Sequence, residues 1–183
     1  MKNSQSDILD FWFEETQPQQ WFQVSEAFDA LLHERFMDDY DKASEGIYDD
    51  WKKDADGCLA LVLLLDQFPR NMFRGKAQAF STDAKALVVS KYALSKGFDQ
   101  LLTPVKRRFL YLPFEHSENL LDQRKCAELF EKMKKDDPLG YEYALKHLKV
   151  IEEFGRFPHR NKILGRMNTP EEEAYLAQPG AGF

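Results

Sequence analysis

The chain has few of the features that mark secreted or membrane proteins. Its 183 residues include only two cysteines, Cys58 and Cys126, too few for the disulfide framework of a small extracellular domain. The longest apolar run, from Cys58 to Leu65, is far shorter than the ~20 residues that cross a bilayer. The first residues are polar and include no apolar signal-peptide core. We therefore expect a cytoplasmic, soluble protein with two buried, reduced thiols.

The chain also lacks an excess of positive charge. Its formal net charge is −6 at pH 7, whereas nucleic acids and anionic membranes are bound through basic faces. The short basic clusters at residues 106–108 and 132–135 are typical of solvated helix faces. We expect neither a nucleic-acid nor a membrane partner, and the sequence does not indicate an oligomeric state.

The motifs of the common cofactor and catalytic classes are missing as well. There is no glycine-rich nucleotide loop, no G-x-S-x-G elbow, no H-E-x-x-H and no C-x-x-C. None of the four histidines has a glutamate three residues before it, which excludes the ligand pattern of di-iron bundles. We therefore expect no cofactor and no metal site.

Helical periodicity is what the sequence has in abundance, and no segment shows a convincing strand alternation. Cap signals at Ser25, at Ser117 or Asn119, and at Thr169 begin three of about eight predicted helices. The segment 57–67 is apolar on every side between Cys58 and Leu65, which predicts a helix at the centre of the core. We expect Pro69 to end this helix and Pro113 to end or kink a later one.

Short connections between these helices predict antiparallel helical hairpins. The predicted fold class is all-α, a tetratricopeptide-like array of about eight helices around the central apolar helix. No linker or low-complexity segment divides the chain. We therefore expect residues 1–183 to form a single domain with a short C-terminal tail.

Two polar stretches of similar design follow apolar helices. Each carries Phe-Pro and then Arg-Asn, in residues 66–71 and 156–161, and the triplet His-Ser-Glu lies at a helix boundary in residues 116–118. We predict that these three stretches converge at one end of the array and line a polar pocket. Its predicted ligand-binding residues are Asp66, Gln67, Arg70, Asn71, Ser117, Arg156, Arg160 and Asn161.

Three interpretations of this pocket remain open. Because guanidinium groups pair bidentately with carboxylates and phosphates, the first is a protein that binds a small anionic molecule or an acidic peptide end. The second is an enzyme, a hydrolase or lyase, in which His116, Glu118 and His159 supply the acid and base. The third is a scaffold in which the polar side chains only brace helix ends. His147, on an apolar stripe, fits a hydrogen-bonded core histidine.

Four stretches of the chain resemble the signature stretches of a known family. They are residues 8–13, 64–71, 109–118 and 154–161, and the family is the bacterial one catalogued as domain of unknown function 924. The resemblance spans nearly the whole chain and implies an all-α fold similar to tetratricopeptide-like arrays. It implies no activity. Glu115 departs from the family pattern, in which a Met precedes the His-Ser-Glu triplet, and adds an acid there.

Overall fold

Helices make up the fold. The computed structural model describes residues 3–182, and the regular elements in that range are helices, with no strand among them. The structure therefore confirms the all-α fold class. The predicted side-chain caps are present, since Ser25, Asn119 and Thr169 each accept a hydrogen bond from a backbone amide in the first turn of the helix that follows.

Eight helices follow one another within the described residues, as the sequence predicts. They are α1 (Gln5–Asp10, extended by a π-helical turn at Phe11–Glu15), α2 (Glu26–Ser44), α3 (Ala55–Val62, a π-helical turn at Leu63–Gln67, and Phe68–Met72), α4 (Asp83–Ser95), α5 (Pro104–Glu115), α6 (Leu120–Met133), α7 (Pro138–Phe154) and α8 (Pro170–Leu176). Short 3-10 turns lie at Pro18–Trp21, Asp49–Lys53, Ala77–Phe80, Phe98–Leu101 and Pro158–Arg160.

The chain divides into two compact units. Residues 3–74 and 78–113 belong to unit 1, and residues 75–77 and 114–182 belong to unit 2. The boundary falls inside α5, between Pro113 and Phe114. The single domain and the tetratricopeptide-like stacking of hairpins stay predictions.

Helix α3 is the centre of unit 1. It packs against α1, α2 and α4, and residues 57–69 are all buried. A helix without a polar face must find neighbours on every side, and this confirms the predicted central helix. Cys58 lies in it as a buried free thiol, and burial raises its pKa to about 11.

The predicted end of this helix at Pro69 is wrong. A proline has no N–H, so it removes the hydrogen bond to the carbonyl four residues earlier. That carbonyl, of Leu65, instead accepts a hydrogen bond from Thr82 Oγ1 at 2.6 Å. In the π-helical turn just before the proline, the amide of Phe68 bonds to Leu63 O, five residues back. Thr82 thus supplies a donor for that carbonyl, and the helix continues to Met72.

The sequence pattern suggested that the two Phe-Pro stretches form equivalent turns. In the structure they differ. Residues 66–71 lie on α3. In the second stretch α7 ends at Phe154, Gly155 takes a left-handed conformation with φ of 69°, and a 3-10 turn follows at Pro158–Arg160. Pro113 likewise does not end α5, which stops two residues later at Glu115.

Unit 2 is built on the hairpin of α6 and α7, which pack against each other. Its apolar cluster contains Val150, Ile151 and Phe157, with Phe154 and Tyr175 packed against it. Cys126 is a second buried free thiol. Among residues 3–182, no helix has the length and apolar character needed to cross a membrane.

Replacing Thr82 tests its role in continuing α3. We expect Thr82→Val to lower the free energy of unfolding by about 1–3 kcal/mol, because a buried carbonyl acceptor would lose its donor. Thr82→Ser keeps the hydroxyl and should cost less. Urea unfolding measures both, and equal losses for the two variants would contradict this role. In a Pro69→Ala background, where a backbone N–H is restored, the cost of Thr82→Val should shrink.

Candidate functional site

The predicted ligand-binding residues of unit 1 bind one another and their neighbours. Arg70 donates to both carboxylate oxygens of Asp83 at 2.9 and 3.1 Å, and to the carbonyl of Asp66 at 3.0 Å. The carboxylate of Asp66 is fully buried and accepts from Gln67 Nε2 at 2.6 Å. These contacts tie α3 to the first residue of α4, which is the bracing role of the third interpretation.

Asn71 is used in the same way. Its side-chain amide donates to Gln67 O at 3.2 Å, and its Oδ1 accepts from Arg74 Nη2 at 2.9 Å. Arg74 also makes a bidentate pair with Asp29 of α2, at 2.6 and 2.8 Å. The end of α3 is thus tied to α2 through Asn71 and Arg74.

In unit 2, Glu118 holds the polar loop that follows α7. Its carboxylate accepts from the amide of Phe157 at 2.8 Å and from the guanidinium of Arg166 at 2.7 and 2.9 Å. Arg166 also donates to Asn161 Oδ1 at 2.8 Å. Burial alone would raise the pKa of Glu118, but the hydrogen bonds from Arg166 and Phe157 outweigh it and lower that pKa.

A second carboxylate, of Glu172 in α8, binds the same loop. Arg156 donates to both of its oxygens at 2.6 and 2.8 Å, and Asn161 Nδ2 lies 3.2 Å from one of them. The hydrogen bonds from Arg156 lower the pKa of Glu172 to about 2. Arg156 therefore forms an ion pair with a buried carboxylate, that of Glu172, in the same unit.

The turn between α5 and α6 contains the His-Ser-Glu triplet, and hydrogen bonds to side chains of α6 hold it in place. Ser117 Oγ donates to Asp122 Oδ2 at 2.9 Å. The side-chain amide of Gln123, fully buried, donates to Glu115 O at 2.6 Å and to Ser117 O at 2.7 Å. His116 thus sits on a backbone segment that α6 holds in place.

The side chains of His147, His159 and Arg160 lie around the ring of Phe157. Together with Glu115, which lies near His147, and His116, whose charge acts on both histidines, we call them the histidine–arginine cluster. The Arg160 guanidinium carbon lies 4.6 Å from the centre of the fully buried Phe157 ring. The imidazoles of His147 and His159 each lie 5.6 Å from the same ring. The guanidinium of Arg160 and two imidazoles therefore lie around one aromatic ring.

His147 is a buried, neutral member of the cluster. Its Nδ1 lies 2.8 Å from Tyr143 O and 3.6 Å from Glu115 Oε1. Burial lowers the pKa of His147 to about 3; the carbonyl of Tyr143 opposes this, and the charges of His116, Arg160 and His159 add to it. The neutral ring donates from Nδ1 to the carbonyl, which leaves Nε2 as the acceptor nitrogen. The predicted hydrogen-bonded core histidine is confirmed.

His159 is shielded by the C-terminal tail. A Cβ at Gly182 would lie 2.9 Å from His159 Cβ, and Gly182 has a φ of 104°, so only glycine fits there without strain. Burial, helped by the neighbouring charge of Arg160, lowers the pKa of His159 to about 4. At neutral pH this imidazole is uncharged.

The structure thus divides the predicted site residues between two settings. Residues 66–71 lie in unit 1, and residues 116–118 and 156–161 lie in unit 2; the convergence of the two Phe-Pro stretches stays a prediction. Within unit 2, Glu118, His159 and Arg160 are near enough for their charges to act on one another. Within residues 3–182, no three His, Cys, Asp or Glu side chains are arranged to hold a metal ion.

Sequence reasoning missed Arg166 and Glu172, which bind the predicted residues Glu118, Arg156 and Asn161. Glu172 carried one usable signal, because its position three residues after Thr169 completes a capping box. Arg166 carried none, since nothing in its local sequence indicates a distant carboxylate partner.

The pair of Glu118 and Arg166 should behave as one unit. We expect Glu118→Gln and Arg166→Met each to lower the free energy of unfolding by about 1–2 kcal/mol, because the two side chains are only partly exposed and each loses charged hydrogen bonds. The double variant should lose less than the sum. Arg124→Met is the control, since its pair with Glu152 is exposed and should cost under ~0.5 kcal/mol. Additive losses in urea titrations would contradict this coupling.

Acid should destabilise the protein through the buried imidazoles. The folded pKa values of His147 and His159, about 3 and about 4, lie below the unfolded value of 6.5. The unfolded chain therefore binds more protons, and stability present above pH ~6.5 is lost as pH falls, at about 1.4 kcal/mol per pH unit for each group.

His147→Asn preserves a donor for Tyr143 O and removes one titrating group. We expect its free energy of unfolding to fall less steeply than that of the unchanged protein in urea titrations between pH 6.5 and 4.5. Glu115, His116 and Arg160 are unchanged in this comparison, so identical slopes would show that His147 titrates normally in the folded state.

The geometry can now be compared with known proteins. A solved structure, that of a protein of unknown function from Agrobacterium tumefaciens, is 42% identical in sequence, with a TM-score of 0.90, over 94% of this chain and 96% of that one. Comparison with curated proteins gave no match. The family described as "Bacterial protein of unknown function (DUF924)" matches residues 8–180. This chain therefore belongs to the DUF924 family.

Proposed function

We propose that this protein binds a small anionic molecule, a carboxylate or phosphate, or an acidic peptide end, at the histidine–arginine cluster of unit 2. The observation that carries the proposal is the setting of Arg160. Its side chain is only 7% exposed, lies over Phe157, and has uncharged imidazoles beside it.

Arg160 is buried, whereas Arg70, Arg156 and Arg166 are partly exposed. Arg70, Arg156 and Arg166 each make a bidentate pair with a carboxylate, and such pairs brace the fold. The guanidinium of Arg160 lies over the ring of Phe157. A guanidinium has five N–H donors in a fixed fork, so a ligand carboxylate or phosphate can share it with acceptors of the protein.

The histidines support binding by hydrogen bonds rather than by charge. At pH 7 both His147 and His159 are neutral, and the positive charge of Arg160 acts on both of them. A buried charge of this kind attracts an anion more strongly than an exposed one, because the surrounding dielectric is low. His116, Ser117 and Glu118 are partly exposed, so solvent reaches these three residues.

The enzyme alternative has weaker support. An efficient general base has a pKa near the working pH, whereas burial holds the pKa of His159 at about 4. Glu118, its predicted partner, is committed to Arg166 and to the amide of Phe157. At neutral pH, His159 is therefore better suited to form a hydrogen bond with a ligand, and Glu118 to hold the loop, than either is to move a proton.

We also place the protein in the bacterial cytoplasm. The family description supports the bacterial source, and two buried free thiols fit a reducing compartment.

Titration calorimetry tests the binding proposal directly, with acetate, succinate, inorganic phosphate and a Glu-Glu dipeptide as probes. We expect at least one probe to bind, and Arg160→Gln to weaken it by roughly tenfold or more, because a bidentate charged contact is lost.

Arg156→Gln is the matched control, since the same substitution there breaks an internal pair with Glu172. It should lower the melting temperature and leave the affinity within about twofold. The proposal fails if no probe binds the unchanged protein, or if Arg160→Gln and Arg156→Gln have the same effect on affinity.

A further inference from the structure

Unit 1 carries an aromatic surface that does not depend on the proposed function of unit 2. We call it the aromatic–basic surface; it comprises Phe13, Trp21, Phe22, Lys106 and Arg108. Phe22 is 57% exposed, and the other four side chains are partly exposed. Large aromatic side chains left in contact with water often mark interaction sites.

The three rings form a preorganised platform. All of them pack on Phe109, which is fully buried: Phe22 is stacked on it at 6.2 Å, and Phe13 and Trp21 meet it edge-on at 5.5 and 5.0 Å. Trp21 Nε1 also donates to Trp12 O at 2.9 Å. A partner therefore meets rings that are already ordered, so less conformational entropy is lost on binding.

Two cations flank the exposed rings. The Arg108 guanidinium carbon lies 4.9 Å from the centre of the Phe22 ring, and Lys106 Nζ lies 5.7 Å from that of Phe13. Lys106 is also 3.7 Å from Asp56, in a pair that is largely exposed. Arg107, between them, bonds the carbonyls of Asp99 and Leu102 and has a structural role.

We propose that the aromatic–basic surface docks an acidic segment of a partner protein. The segment would place one large apolar side chain on the platform and flank it with Asp or Glu residues facing Lys106 and Arg108. Aromatic residues and arginine dominate the binding energy of many protein interfaces, and opposite charges set the orientation of the partner.

A peptide fits this surface better than a nucleic acid. Nucleic-acid affinity comes from many phosphate contacts, whereas two cations border these rings, on a chain whose formal net charge is −6. Two flanking cations match the two flanking acids of a short peptide segment.

Fluorescence anisotropy tests the proposal with a short fluorescein-labelled peptide that has a central Phe between Glu residues. We expect it to bind the full chain, and we expect weaker binding when Lys replaces Glu or Ser replaces Phe in the peptide. Phe22→Ser and Arg108→Glu should each reduce its affinity by roughly tenfold or more. Phe22 is exposed, so unchanged circular dichroism and melting temperature would confirm that its variant is folded.

The matched controls are Leu121→Ser, which replaces a side chain that is 72% exposed in unit 2, and Arg124→Glu, which reverses an exposed charge there. Both should leave peptide affinity unchanged. The proposal is overturned if the peptide does not bind, if all four variants behave alike, or if oligo-dT or phosphatidylserine vesicles bind more tightly and lose that binding in Phe22→Ser and Arg108→Glu.

Discussion

The carboxylate of Glu118 is the interaction on which the polar part of unit 2 depends. It accepts hydrogen bonds from the amide of Phe157, at the start of the loop that follows α7, and from the guanidinium of Arg166, near the end of that loop. The ring of Phe157 in turn packs against Arg160 and two imidazoles. A polar cluster of this kind keeps its geometry only if the backbone beneath it is fixed, and a charged acceptor fixes it more firmly than a neutral one.

The arginines of this chain lie in different surroundings. Where a carboxylate matches the guanidinium, as in Arg70–Asp83 or Arg156–Glu172, the pair closes a local network and ties helices together. Arg160 lies beside rings whose burial suppresses their own charge. The difference depends on the neighbours that folding brings to each guanidinium, and the neighbours are distant in sequence.

Local patterns predicted the helices and their caps because those depend on neighbouring residues. The apolar run at 58–65 identified the central helix, and Ser25, Asn119 and Thr169 cap their helices as expected. Prediction failed where a distant residue decided the outcome: Thr82 allows α3 to pass Pro69, and Arg166 binds Glu118. The sequence found several polar residues of the candidate site, but it could not separate those that brace helices from those around Phe157.

The π-helical turn at Leu63–Gln67 also affects how the sequence can change. It accommodates one more residue than an α-helical turn would, and each residue of an α-helix turns the chain by about 100°. Deleting one residue there would return the turn to α-helical geometry and leave the residues that follow in nearly the same orientation, with Arg70 still facing Asp83 and Asn71 still facing Arg74. A single-residue deletion should therefore be better tolerated in this turn than in the α-helical parts of α3, where it would rotate the following residues by about 100°.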